Sequence, residues 1–431
     1  MNHQISFPFD SLKEVISVLN QTRHHGLSRR YQQELIEFGS VMWFSKFIPT
    51  QTLPLKSGRY LLFTDDIRIP RLLTGEVGSG YEIQFAILNG EVIYTSPDAS
   101  SIVTDDLISE ISEVKFQNNP ALIRSIRFGH KNFAHTLWNQ LPALVELESL
   151  ILNQISLGRI RVEIPSESNS QIAPLGTLRE LSPLLADHFS IGNSEIPEFN
   201  AIPIGSTFLT ESARKRVANS LLNENPKAKK KPVLWLGVDF KTPVRAPENH
   251  IDLYVQVALE WLRRTDGDVI VDSFTPETFP ISDPNQEKHI AHAAQLVSTI
   301  VAKVAVKSGI ERIQSTQLLN LRAVLALAEQ CDYYLSCPGT IQHKVGWLWP
   351  KKPGMIVFGP FKHRSSHVLW HSKQVEGGED IDELPAELLR FTDGTLDMNH
   401  GTCFDTYQVE NTQSAAAEIV SRAIARFTRE E

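Results

Sequence analysis

Between residues 233 and 358, short apolar runs alternate with longer segments that have helical spacing. Most of these runs carry apolar residues on both faces, which is typical of strands in a buried parallel sheet. Helices that cover both sides of a parallel sheet produce this burial, so the pattern predicts a doubly wound α/β domain. The predicted strands are Val233 to Gly237, Val269 to Ser273, Ile310 to Ile313, Tyr333 to Ser336 and Met355 to Phe358.

The first half of the chain shows a mixed pattern. Residues 10–38 have helical spacing, whereas residues 58–95 predict strands, with Asn89-Gly90 as a two-residue hairpin turn. Strands and helices alternate again from residue 104 onward, and the predicted helices include Leu178 to Asp187 and His250 to Arg264. A charged, proline-bounded stretch, Asn225 to Pro232, predicts a linker. The predicted domains are residues 1–225 and 232–410, followed by a C-terminal helix, 411–431, that could pack back on the N-terminal domain.

Composition limits the classes of function. A chain of 431 residues is too long for one ordinary core, and 42% hydrophobic and 21% charged residues are typical of a globular protein. A net charge of -8 argues against nucleic acid as a partner. We find no secretory signal and no uncharged stretch long enough to span a membrane, which predicts a cytoplasmic protein and leaves peripheral membrane contact open. The 3 cysteines have no CxxC spacing, so we expect reduced thiols.

The junction at residues 128–144 carries more polar side chains than folding requires. It joins a predicted strand, Leu122 to Phe128, to a helix with apolar residues at helical spacing. A glycine and a capping residue would be enough for such a turn. This stretch also contains His130, Asn132, His135, Trp138 and Asn139, so we take it as a candidate site.

Basic loops follow the predicted strands of the second half. Ligands of doubly wound sheets lie beyond the carboxyl ends of the strands. Lys241, Arg245 and Asn249 follow the first of these strands, and a guanidinium group can bind two phosphate oxygens at once. A solvated basic loop would have the same sequence, so both interpretations stay open.

Two further loops have a similar character. After the strand at 333–336, Gly339 would let the backbone approach a ligand, and Thr340 would cap a helix whose free N–H groups attract anions. His343 follows closely, although a plain helix cap would explain this loop as well. Lys362 lies in the loop after the strand at 355–358. Together these loops predict an anionic, nucleotide-bearing ligand.

The junction resembles a known family. Asn132-Phe133-Ala134-His135, followed by Leu141-Pro142-Ala143-Leu144, resembles the Asn-aromatic-x-His and Leu-Pro-x-Leu signature of family 61 glycosyltransferases. Residues 233–249 and 318–346 are similar to later segments of that family. Cys337-Pro338-Gly339-Thr340 departs from the family's His-Gly-Ala-Gly, and the family's usual Ser-Arg pair is missing.

The resemblance implies a GT-B architecture, in which two Rossmann-like domains face each other across a cleft, here with an extra β-hairpin in the N-terminal portion. It implies an inverting transfer without a metal, from a nucleotide-sugar co-substrate to a glycan or protein hydroxyl, and no bound cofactor. His135 would be the base, because a neutral imidazole accepts a proton at physiological pH. Asn132, Trp138 and Asn139 would meet the acceptor. The donor-binding residues would be Lys241, Arg245, Asn249, Gly339, Thr340, His343 and Lys362.

Other functions remain open at this stage. Asp266-Gly267-Asp268 matches the Asp-x-Asp pattern of metal-dependent transferases, but it precedes its strand, so we interpret it as a turn. A histidine at a helix start is often only a capping or core residue. A pyruvyl transferase, a nucleotide-sugar epimerase or a non-catalytic glycan-binding scaffold would suit the same fold, because one scaffold hosts several chemistries.

Overall fold

The computed structural model shows two compact units, one formed by Met1–Ile172 and Thr177–Ala213, the other by Ala173–Gly176 and Arg214–Glu431. The helical segment predicted at 10–38 and most of the predicted linker lie outside the described residues, so the predicted domain boundaries stay predictions. The described residues are 51–54, 60–63, 71–74, 83–88, 91–94, 105–113, 121–122, 124–130, 133–166, 169–192, 201–203, 209–222, 231–238, 246–276, 284–308, 311–337, 344–356, 375–378, 381–391 and 407–427.

The first unit contains a 6-stranded antiparallel sheet of order β5-β4-β3-β2-β1-β6. Helix α1, Asp105–Glu113, lies between β5 and β6 in the chain. The sequence predicted β2, β4 and β5 but missed β1 and β3. The strands are β1 Gln51–Pro54, β2 Tyr60–Phe63, β3 Arg71–Thr74, β4 Ile83–Leu88, β5 Glu91–Tyr94 and β6 Ala121–Leu122.

A 4-stranded parallel sheet of order β10-β7-β8-β9 forms the second part of this unit. Its strands are β7 Ser125–Arg127, β8 Arg161–Ile164, β9 Phe189–Ile191 and β10 Ala201–Pro203. Its helices are α2 Phe133–His135, the π-helical turn Thr136–Gln140, α3 Leu141–Ser156, α4 Asn169–Ile172, α5 Leu178–Leu181 and the 3₁₀ turn Ala186–His188.

Helix α5 is shorter than the helix predicted at 178–187. A capping box begins it, in which the side chains of Thr177 and Glu180 bond each other's backbone N–H groups. It ends at Leu181 because Pro183 has no N–H group and its ring blocks a further turn. Helix α6, Glu211–Leu221, follows β10.

The second unit is built on a 6-stranded sheet of order β13-β12-β11-β14-β15-β16, in which every pair is parallel. The predicted doubly wound α/β class is confirmed here. The strands are β11 Val233–Gly237, β12 Asp268–Asp272, β13 Ile313–Ser315, β14 Tyr333–Ser336, β15 Gly354–Ile356 and β16 Asp382–Glu383. A separate antiparallel pair is formed by β17 Leu389–Phe391 and β18 Tyr407–Val409.

Helices and apolar residues cover both faces of this sheet. The helices are α7 His250–Arg264, α8 Pro284–Ser308, α9 Leu321–Leu327 and α10 Thr412–Phe427, with 3₁₀ turns at Ala328–Gln330 and Ala386–Leu388. Leu234 and Leu236 pack with α7 and α8 on one side, whereas Trp235 packs with α9 on the other.

Two helices of this unit concern predictions made from the sequence. The buried residues of the C-terminal helix α10, such as Ile419 and Ala423, belong to the core of the second unit. Packing of this helix on the N-terminal domain stays a prediction. In α8, Glu287–Ser308 is long and apolar enough to span a membrane by length and composition. However, Val297 and Ile300 of this segment lie fully buried in the same core.

Candidate functional site

The sheet of the second unit has a topological switch point. Counted from β11, its strand order is 3-2-1-4-5-6, so the chain leaves β11 and β14 towards opposite sides. Nucleotides bind sheets of this order in the crevice beyond the carboxyl ends of those two strands. The register places Gly237, Asp272 and Ser336 level with one another at that edge.

The basic loops predicted from the sequence begin at this edge. Residues 239–245 follow β11 and residues 338–343 follow β14. Six of the predicted donor-binding residues lie outside the described part of the chain: Lys241, Arg245, Gly339, Thr340, His343 and Lys362. The roles of these six residues in donor binding therefore stay predictions.

Asn249, also predicted to bind the donor, is described and is tied to β18. Its Nδ2 donates to the carbonyl oxygen of Val409 at 2.7 Å, and its Oδ1 accepts from the N–H group of Val409 at 2.9 Å. The amide therefore connects the start of α7 to β18. Its role in donor binding stays a prediction.

Tyr254 bridges the ends of the two switch-point strands. Its hydroxyl donates to the carbonyl oxygen of Gly237 at 2.9 Å and lies 3.3 Å from Sγ of Cys337. Cys331 and Cys337 are both buried as thiols. Tyr254 was not predicted from the sequence, because a tyrosine on the apolar face of a helix looks like an ordinary core residue.

His250 precedes Tyr254 by one helical turn and is 3% exposed. The centroids of the two rings are 6.1 Å apart. Its Nδ1 lies 3.0 Å from the carbonyl oxygen of Pro247, which can only accept, so Nδ1 carries the proton. Nε2 has no hydrogen-bond partner within the described residues.

The charge state of His250 follows from its surroundings. Its pKa is lowered from 6.5 to about 4, chiefly because the ring is buried. The bond to Pro247 and the charge of Asp252 act in the opposite direction, and His292 adds a smaller lowering effect. At neutral pH this imidazole is uncharged. It therefore presents an unused lone pair on Nε2.

A buried ion pair lies beside this crevice. Asp272, the last residue of β12, is fully buried, and Nζ of Lys344 lies 2.9 Å from its Oδ2 and 3.1 Å from its Oδ1. Nζ also donates to the carbonyl oxygen of Ser273 at 2.6 Å and to Oγ1 of Thr275 at 2.8 Å. Thr316, which follows β13, donates to Oδ1 of Asp272 at 2.7 Å.

This ion pair positions the segments around it. The carboxylate of Asp272 connects the ends of β12 and β13 with Lys344, which directly follows His343 of the loop after β14. Neither residue was predicted from the sequence as part of the site. The local pattern predicts only that Asp272 belongs to a strand and Lys344 to a helix, and it does not indicate that the two side chains meet.

The Asp-x-Asp sequence lies at the opposite edge, as predicted. Asp268 is the first residue of β12, and the N–H group of Gly267 is held by Oγ1 of Thr265 at 3.1 Å in a turn. Within the described ranges, no group of three or more His, Cys, Asp or Glu side chains is placed to bind a metal ion.

The parallel sheet of the first unit has its own switch point, between β7 and β10, and the junction at 128–144 begins at the end of β7. Gly129 has a φ of 110°, which favours glycine, and its N–H group donates to Oε1 of Gln140 at 2.6 Å. The N–H group of His130 donates to Oγ1 of Thr136 at 3.0 Å. These bonds fold the junction back onto the helix start.

His135, the predicted base, is partly buried at this helix start. Its ring meets that of His130 edge-on, with the centroids 4.7 Å apart. The π-helical turn that follows contains Trp138 and Asn139. Trp138 is buried, whereas the side chain of Asn139 lies outside the described part. Asn132 also lies outside the described residues.

The sequence predicted one continuous α-helix here and missed this π-helical turn, a feature that often marks functional sites. It also missed Gln140, which is fully buried. The Nε2 atom of Gln140 has no hydrogen-bond partner within the part of the unit that the structure describes.

Comparisons with known proteins give distant similarities. No family model and no curated protein matches this chain, so the resemblance to family 61 finds no support there. E. coli heptosyltransferase WaaC with ADP has 12% identity and a TM-score of 0.32, over 61% of this chain and 94% of that one. E. coli ADP-heptose LPS heptosyltransferase II has 9% identity and a TM-score of 0.35, over 72% and 100%.

A third solved structure is the dodecameric iron-containing heptosyltransferase TibC in complex with ADP-D-beta-D-heptose. It has 11% identity and a TM-score of 0.35, over 88% of this chain and 93% of that one. Such low TM-scores do not show a common fold. The α/β assignment therefore rests on the two parallel sheets.

Proposed function

We propose that this protein is an inverting, metal-independent glycosyltransferase that transfers a sugar from a nucleotide-sugar to a glycan or protein hydroxyl. The observation that carries the proposal is the strand order of the second unit. Its switch point lies where two loops begin: 239–245, which contains Lys241 and Arg245, and 338–343, which contains Gly339, Thr340 and His343. The candidate base, His135, follows the switch-point strand of the other parallel sheet.

The loop after β11 favours a nucleoside diphosphate over a dinucleotide. Dinucleotide-binding sheets use a G-x-G-x-x-G turn, whose backbone cradles the pyrophosphate. Residues 238–249 of this chain contain no glycine. Lys241 and Arg245 would instead bind a diphosphate through their side chains. The nucleotide is thus a substrate in this proposal, and no bound cofactor is required.

The reaction is a single displacement. The acceptor oxygen attacks the anomeric carbon, and the bond from that carbon to the diphosphate oxygen breaks, which inverts the configuration. His135 takes the proton of the acceptor hydroxyl, and the nucleoside diphosphate leaves with the electron pair. The contact with His130 and the bonds of the junction would hold His135 in place, and Asn132, Trp138 and Asn139 would meet the acceptor.

A screen of nucleotide-sugars tests this proposal. We expect the chain to hydrolyse one donor slowly, because water can replace an unknown acceptor. His135→Ala should slow the reaction by about 10² to 10⁴-fold while donor affinity is kept. His188→Ala, which changes an exposed histidine of the same unit, is the matched control.

Two results would contradict it. The proposal is wrong if calorimetry finds no nucleotide or nucleotide-sugar that binds, or if His135→Ala reacts as fast as the wild type. Interconversion of a nucleotide-sugar without an acceptor would instead favour an epimerase.

A further inference from the structure

His250 lies at the switch point of the second unit. Tyr254 contacts the ends of β11 and β14 through its hydroxyl, and His250 is on the same face of α7, one turn nearer the start of the helix. Side chains of a helix lean towards its N-terminus. His250 is therefore on the side of Tyr254 where the strands end, and sheets of this order bind nucleotides beyond those ends.

Only one of the two ring nitrogens of His250 has a hydrogen-bond partner among the described residues. Nδ1 is occupied by Pro247, whereas Nε2 has no partner among the described residues, although the side chain is 3% exposed. Buried polar atoms nearly always have a partner, so an unused one calls for an explanation. Because the proton is on Nδ1, Nε2 can only accept.

Because Nε2 of His250 can only accept a hydrogen bond, the ligand group that binds it must be a hydrogen-bond donor. A phosphate oxygen that carries no proton cannot donate to Nε2, and two lone pairs facing each other would repel. A ribose hydroxyl and an N–H group of a nucleobase can both donate. The positive end of the dipole of α7 would suit the neighbouring phosphates.

We propose that Nε2 of His250 accepts a hydrogen bond from a donor group of the nucleoside, either a ribose hydroxyl or a base N–H group. This assignment rests on the proposed function, because it takes the ligand to be a nucleotide. It makes His250 a binding residue, separate from the candidate base.

Two substitutions separate the ring nitrogens. His250→Asn places an amide N–H near the position of Nδ1, which keeps the bond to Pro247 and removes the acceptor. His250→Gln places an amide oxygen near the position of Nε2. Titration calorimetry with ADP, GDP, UDP and CDP should show binding of at least one by the wild type, about tenfold weaker binding by the Asn variant and partial recovery by the Gln variant.

Analogues identify the donor group. The 2′-deoxy and 3′-deoxy forms of the bound nucleotide test the ribose, and the four bases test the nucleobase. The analogue without the group that donates to Nε2 should bind the wild type about tenfold more weakly than the parent nucleotide does. The Asn variant should bind this analogue and the parent nucleotide equally well. Nitrogen-15 spectra of histidine-labelled wild-type protein should show the Nε2 resonance moving upfield on binding, which needs no variant.

The outcomes distinguish the two proposals. If none of the four nucleotides or their sugars binds the wild type, both fail. If a nucleotide binds, but the Asn variant has the wild-type affinity or the Nε2 resonance does not move, the assignment of His250 alone is overturned.

Discussion

Lys344 and Asp272 form a buried ion pair across 72 positions of sequence, with Nζ 2.9 Å from Oδ2. The pair joins the end of β12 to the segment that follows β14. Both strands end at the edge where the candidate nucleotide site lies. The geometry of this edge therefore depends on two residues that were absent from the candidate site read from the sequence.

Lys344→Met should lower the free energy of unfolding by about 3–5 kcal/mol, because Asp272 would keep a buried charge without its partner. Urea denaturation measures this loss. The double variant Lys344→Met/Asp272→Leu should recover most of it. Lys303→Met breaks an exposed pair of similar length, 3.1 Å from Nζ to Oδ1 of Asp252, and should cost less than about 1 kcal/mol. Equal losses in Lys344→Met and Lys303→Met would contradict the buried-pair interpretation.

Stability should depend on pH through His250. Its pKa is lowered from 6.5 to about 4 by burial, so the unfolded chain binds the proton more tightly than the folded one. The stabilisation from the neutral ring is complete above pH 6.5 and is lost as the pH falls towards 4, by about 3 kcal/mol in total. His250→Asn should lose less stability over this range, whereas the exposed control His188→Asn should follow the wild type. Parallel curves for His250→Asn and the wild type would show that His250 is not the group responsible.

Tyr254→Phe should cost about 1–2 kcal/mol, because the carbonyl oxygen of Gly237 would lose a buried hydrogen-bond donor. Thermal unfolding measures this loss. The KM for the donor should rise as well, because the hydroxyl bridges the ends of β11 and β14. Unchanged stability would mean that the bridge is not formed in solution.

Asn249→Ala should cost about 1–3 kcal/mol, because two backbone groups of Val409 would lose their partners. Asn153→Ala changes an exposed asparagine of α3 and should be nearly neutral. A large loss of donor affinity without a loss of stability would instead support the predicted binding role of Asn249.

Gly129→Ala should destabilise the first unit by about 1–3 kcal/mol, because a φ of 110° is strained for alanine. Gly158, with a φ of 67° in an exposed turn, is the matched control. Both variants should lose stability in urea titrations, but only Gly129→Ala should slow the transfer, because it displaces the junction that carries His135. Equal rates for the two variants would argue against a role of the junction in the reaction.

Part of the candidate site was predictable. The loops after β11 and β14 were identified from strand ends alone, because strand direction in a parallel sheet places their carboxyl ends at one edge. His135 and Trp138 were proposed because of an excess of polar and aromatic residues at a turn, and their roles stay predictions. The π-helical turn at Thr136–Gln140 was missed, because a single widened turn leaves the apolar spacing of its neighbours almost unchanged.

The sequence by itself determined several elements of the second unit. Strands Val233–Gly237 and Tyr333–Ser336 and helix His250–Arg264 have the bounds predicted from local patterns, because periodicity depends only on neighbouring residues. Only the tertiary structure decided the strand order, the ion pair of Lys344 and Asp272, and the proton position on His250. Each of these depends on which distant or differently oriented groups meet after folding, and such contacts leave no periodic trace in the chain.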